Sequence, residues 1–125
     1  MGGVTLDAGA LIALDRNDRR VVALLARALE RGSVVTVPAS ALAQAIRRPE
    51  RQARLSRLVR QPHTNVVALD RVDATHVGRS LAAGATADVV DAHVVLCARR
   101  ADQAVVSSDP DDLHVLDPTL AVIEV

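Results

Sequence analysis

Two aspartate pairs with the same spacing stand out in the second half of the chain. Asp88 and Asp91 head the apolar run "ADVVDAHVVLCA" (87–98), and Asp109 and Asp112 lie in "SSDPDDL". A further acid, Asp7, directly follows the short run "GVTL" (3–6). Carboxylates gathered in one place repel one another unless a divalent cation or protons compensate. A ligand set made only of oxygens suits Mg²⁺ or Mn²⁺, and such an ion can activate a water for hydrolysis. Each pair also has a purely structural explanation. Asp88 can cap a helix with Asp91 in its first turn, and Asp109 can cap one opened by Pro110. One cap per helix end suffices, however, and capping does not explain why Asp7 follows a strand in the same way.

The elements that position these acids can be traced along the chain. After "GVTL", "AGALIAL" reads as a short helix, and "DRRVVALLARALERG" (18–32) as an amphipathic helix stopped at Gly32. "SVVTVP" (33–38) reads as a buried strand and "ASALAQAIRR" (39–48) as a helix; Pro49 then opens another, Glu50 to about Arg60. "NVVAL" (65–69) is a strand, "RVDATHVGRSLAAG" (71–84) a helix, and 88–101 a further helix. A strand over 103–107, a short helical turn in "PDDLHVL" and a last strand over 120–125 complete the order. This alternation predicts an α/β domain spanning 1–125, with a mainly parallel sheet covered on both faces. In such sheets a binding crevice forms beyond the strands' carboxyl ends, where the strand order reverses. Asp7 and Asp109 both lie just past such ends.

Composition narrows the chemistry. The 125 residues are 50% hydrophobic, which suits a single core. No run is long enough to span a bilayer and no basic leader precedes the first apolar run, so a cytoplasmic protein is expected. The one cysteine, Cys97, excludes an internal disulfide and a cysteine-rich zinc site; it reads as a small buried hydrophobe. There is no Phe, Tyr or Trp, so nucleic-acid bases cannot stack on aromatic side chains. There is no lysine either, which removes phosphate-binding P-loops and Schiff-base chemistry. Net charge is zero, yet six of the fifteen basic residues fall in "RRPERQARLSRLVR" (47–60), while 102–117 holds five aspartates and no arginine. The basic stretch can be a solvated amphipathic helix, with Leu55, Leu58 and Val59 inward, or a surface for phosphates.

Taken in order, "VTLDAGALIALDR", "VTVPASALAQAIRR", "DVVDAHVVLCARR" and "AVVSSDPDDL" resemble the successive motifs of PIN-domain nucleases, above all the VapC-type ribonuclease toxins of bacterial toxin–antitoxin pairs. The resemblance runs from about residue 4 to the C-terminus. It implies a PIN-like three-layer α/β/α sandwich, Mg²⁺- or Mn²⁺-dependent cleavage of RNA, a homodimer, and inhibition by a VapB-type antitoxin. It implies Asp7, Asp91 and Asp109 as catalytic metal ligands, Ser107 as an accessory residue at the strand end, and Asp112 as an additional acid. Asp88 is then an accessory ligand or a cap. Arg47, Arg48, Arg51 and Arg54 are the candidates for flanking RNA phosphates. The sequence departs from the pattern at the second motif, where Gln44 stands in place of the usual Glu. An amide oxygen brings no charge, so the alternative function is a PIN-domain module that binds antitoxin or RNA with little or no turnover.

The four histidines, His63, His76, His93 and His114, have no metal-ligand spacing and read as surface or interface residues. No GxSxG or GxGxxG is present, so neither a serine hydrolase nor a dinucleotide site is indicated. A phospho-receiver domain shares the strand–helix rhythm, but it expects a lysine and an acidic pair at the first strand.

Overall fold

The computed structural model describes residues 2–84, 86 and 88–125. Its centre is a five-stranded sheet in the order β3-β2-β1-β4-β5, parallel throughout. The strands are β1 (Val4–Leu6), β2 (Val35–Pro38), β3 (Thr64–Val67), β4 (Ala104–Ser107) and β5 (Val122–Glu124). The expected parallel sheet is therefore found, without any antiparallel member. The three inner strands are almost wholly buried, as their Val-rich runs require, whereas β3 and β5 are edges. Val66 and Ile123 on those edges remain exposed, so the expectation of strands buried on both faces holds only for the middle of the sheet.

Seven helices surround the sheet among the described residues: α1 (Ala8–Asp15), α2 (Arg19–Glu30), α3 (Ala39–Ala45), α4 (Ala53–Arg60), α5 (Arg71–Ala83), α6 (Val89–Ala101) and α7 (Pro110–Leu116). Helix α6 lies along β1, β2 and β4 and is itself covered by α3, α5 and α7. It is consequently apolar around most of its circumference, burying Ala92, Val94, Val95, Cys97 and Ala98. Burial raises the Cys97 thiol to about 11, in keeping with an inert core residue. On the outer side of α6 Arg100 donates to both carboxylate oxygens of Asp73 on α5, at 2.7 and 3.1 Å, and the guanidinium holds Asp73 below its usual range.

Helix ends follow the sequence closely. Asp7, Asp18, Asp70 and Asp88 each accept an amide hydrogen bond in the first turn of α1, α2, α5 and α6. At the far end of α2, Gly32 has a φ of 63°, its amide bonds Leu29 and that of Ser33 bonds Ala28. This is the glycine stop expected there, in its two-bond form.

Two expectations need correction. The helix expected to run from Pro49 to Arg60 is split: Pro49–Arg51 is a single 3₁₀ turn, and α4 starts only at Ala53. The cause is Gln52, which is 6% exposed. Its side-chain oxygen accepts from the amides of Arg47 and Arg48, and its Nε2 donates to the Ala45 carbonyl. The side chain satisfies backbone groups that a continuous helix would have paired, and α3 ends at Ala45 rather than Arg48 for the same reason. His93 is not a surface residue but is fully buried, with Nδ1 2.6 Å from the Ser40 hydroxyl. It does lie across α6 from Asp91, but the far side of this helix meets α3 and α5, not water. Its Nε2 has no hydrogen-bond partner among the described residues, and burial lowers its pKa.

Candidate metal centre

The strand order reverses at β1: β2 and β3 extend to one side, β4 and β5 to the other. Crevices form at such a switch point, beyond the carboxyl ends. Asp7 is the residue after β1, and Asp109 follows β4 by two residues. Helix α6, resting on both strands, brings Asp91 in from its first turn.

Asp7 is the deepest of these acids, 7% exposed, and combines two tasks. One carboxylate oxygen accepts from the Ala10 amide at 2.8 Å, capping α1. Burial raises its pKa and the Asp109 charge adds to this, while the Ser107 hydroxyl and the Ala10 amide pull it down. Ser107 is completely buried and also accepts from the Asp109 amide at 2.9 Å. The expected accessory serine thus sits between the two strand-end acids and fixes the turn carrying Asp109.

Asp91 reports how closely the acids are gathered. Its pKa is pushed up to about 6, first by burial and then by the charges of Asp88, Asp112, Asp7 and Asp109. All five predicted acids therefore act on one locality. Their roles differ. Asp88 uses Oδ1 to accept from the Asp91 amide at 2.9 Å, so it is the cap of α6 and an electrostatic neighbour. Asp109 occupies the N-cap position of α7 but makes no capping bond, contrary to the capping explanation for this pair. Its carboxylate instead lies near that of Asp112, and this closeness raises the pKa of Asp112.

Gly9 was missed in the sequence. A Cβ at this position would lie 2.5 Å from the Ser108 hydroxyl and 3.4 Å from Asp7 Oδ1. The glycine keeps open a gap between the buried carboxylate and the β4–α7 turn. The fit to a hard cation is good in two respects, an all-oxygen donor set and this open cradle. Among the described residues, no three of the acidic, histidine or cysteine side chains converge closely enough to enclose an ion by themselves. One or two direct carboxylates with the rest acting through water is the arrangement Mg²⁺ usually takes. Gln44 is exposed on α3 and its side chain makes no hydrogen bond among the described residues.

The basic segment divides. Arg47, Arg48 and Arg51 line one pocket. Arg54 instead borders a separate apolar groove with Arg57, and donates to the Asp15 carbonyl at 3.4 Å. Leu55 and Leu58 are buried, as the amphipathic reading requires.

No family model and no curated protein matches the sequence. Solved structures do. The crystal structure of VapBC2 from Rickettsia felis bound to a DNA fragment from its promoter superposes with a TM-score of 0.69, covering 98% of this chain and 98% of that one at 12% identity. The fold is PIN-like. FitAcB from Neisseria gonorrhoeae gives a TM-score of 0.65 at 18% identity, over 97% of this chain and 96% of that one. FitAB bound to an IR36 DNA fragment gives 0.62 at 17%, over 97% and 94%. At these identities the likeness establishes the architecture alone.

Proposed function

We propose that this PIN-like protein is a Mg²⁺- or Mn²⁺-dependent endoribonuclease and the toxin member of a toxin–antitoxin pair. The observation that supports it best is the mutual electrostatic influence of Asp7, Asp91 and Asp109 at the β1/β4 switch point. Asp91, Asp109 and Asp7 would hold the ion through carboxylate oxygens, Asp7 while also capping α1 through Oδ1. Bound there, the ion supplies a water of lowered pKa and charge neutralisation at the phosphate. Ser107 holds the Asp109 turn, and Asp88 and Asp112 keep the crevice negative around the ion.

The solved relatives of like fold are named as two-component assemblies, which favours a VapB-type antitoxin as partner. An apolar groove of about 330 Å³ between α2 and α4, bordered by Val22, Leu25 and the half-exposed Leu29, is a surface such a partner can cover. No helix among the described residues is long and apolar enough to cross a membrane. A second reading, a PIN-like binding module with little turnover, draws on Gln44 and on the lack of a ready-made three-ligand cage among the described residues.

The experiment is RNA cleavage by antitoxin-free protein with Mg²⁺ or Mn²⁺, and with EDTA and Asp91→Asn as controls. Cleavage that both controls abolish is expected. Folded protein that binds RNA but never cuts it, under any divalent ion, would leave the binding module as the function.

A further inference from the structure

Three of the arginines concentrated between α3 and α4 meet a fourth from elsewhere. Arg47, Arg48 and Arg51 line a pocket of about 260 Å³ together with Arg16, the C-cap of α1. None of the four forms an ion pair among the described residues; those present belong to Arg20, Arg99 and Arg100. The pocket's one acid, Asp15, accepts instead from Gln52 Nε2, at 3.4 Å. Four guanidinium charges thus face one carboxylate, an imbalance that a bound anion relieves.

The pocket is also built rather than incidental. Gln52 is buried beneath it and fixes the backbone of Arg47 and Arg48 by accepting from both amides, at 2.9 and 3.0 Å. Arginines whose backbone is already ordered lose less freedom on binding. Planar guanidinium forks can bind phosphate oxygens in pairs of hydrogen bonds. Position adds a second argument. Asp7 caps the start of α1 and Arg16 caps its end. Eight helical residues separate them, a rise of about 12 Å. One rigid helix therefore has the acidic crevice at one end and the basic pocket at the other.

We propose that this pocket is a phosphodiester subsite. It holds a backbone phosphate of a single RNA strand one helix length from the bond lying in the acidic crevice, and Gln52 is its positioning residue. Arg54, on the neighbouring groove, takes no part. The inference rests on the ribonuclease reading for the identity of the strand.

The test is fluorescence anisotropy of a non-cleavable 2′-O-methyl RNA oligonucleotide in EDTA. Neither metal nor turnover enters, so absence of cleavage in the assay above leaves this measurement intact. The variant Arg47→Gln/Arg48→Gln/Arg51→Gln is expected to weaken binding by about tenfold or more and to lower the salt slope by about 1. A charge-matched control, Arg19→Gln/Arg60→Gln/Arg79→Gln, is expected to stay close to wild type. Gln52→Ala removes no charge yet is expected to lower the salt slope as well, with circular dichroism confirming the fold. If Gln52→Ala does not fold, the two arginine triples decide the question. Equal losses in the two triples, or none in the pocket triple, overturn the subsite. So does a pocket triple that loses affinity for polyglutamate but keeps it for the oligonucleotide, which would make this a contact for an acidic protein.

Discussion

The two Asp-x-x-Asp pairs have the same spacing, and each opens a helix, yet the fold uses them differently. In the first pair Asp88 turns back to cap α6, and the capped amide belongs to Asp91, whose own carboxylate is left facing the crevice. In the second, Asp109 caps nothing; Pro110 follows it with no amide to offer, and its carboxylate meets Asp112 across the turn. One pair separates a capping acid from one whose carboxylate is left free of the cap. The other keeps both acids at the mouth of the site. Spacing alone does not divide such labour; it depends on which amides need a partner.

Substitution within each pair separates the two uses most clearly. If the proposed metal site is right, Asp91→Asn and Asp109→Asn each remove a ligand and are expected to cut metal-dependent cleavage by about 100-fold or more. Asp88→Asn should lower it less than about threefold, because asparagine caps as well as aspartate. Equal losses for Asp88→Asn and Asp91→Asn, measured as initial rates on one RNA, would show that Asp88 is a ligand too.

A second test uses protons. With Asp91 raised to about 6, protons compete with the ion there. Mn²⁺ affinity by calorimetry should fall roughly tenfold per unit as pH drops below about 6. Without metal, the raised value means that protonated Asp91 favours the folded state below 3.8, and that this advantage is lost as pH rises through about 6. Asp91→Asn should therefore be more stable than wild type near pH 7, by on the order of 1 kcal/mol after allowing for partial exposure, and no more stable near pH 4. Thermal melts at the two pH values separate these outcomes. The smallest effect is expected from Gln44→Glu. A tightening of metal binding of a few-fold would place this exposed position beside the ion, and unchanged affinity would place it outside.

The parallel sheet and its acids were legible because they rest on local signals. Val-rich runs ended by Asp7 or followed by Asp109 announce both a strand and where it stops. What escaped depends on contacts between distant segments. Gln52 looks like any polar residue on a helix until the amides of Arg47 and Arg48 and the Ala45 carbonyl are seen to need it. The burial of His93 follows from the helices covering α6, with Ser40 fifty-three positions away as its partner. Gly9 looks like an ordinary small residue until β4 brings Ser108 against it. The Asp73–Arg100 pair joins two helices whose facing sides cannot be chosen before they pack.

Helix α6, in contact with three strands and with α3, α5 and α7, has a consequence for how the molecule comes apart. Units that pack elsewhere, such as α2 on α1, can open and leave this helix in place, whereas opening of the central strands or of α5 cannot; the amides in its middle are expected to be among the last to exchange with solvent. Asp88 caps its start and Asp91 stands on its first turn, while Asp7 and Asp109 lie just past the ends of the strands beneath. The acidic crevice is thus tied to the last part of the chain to open.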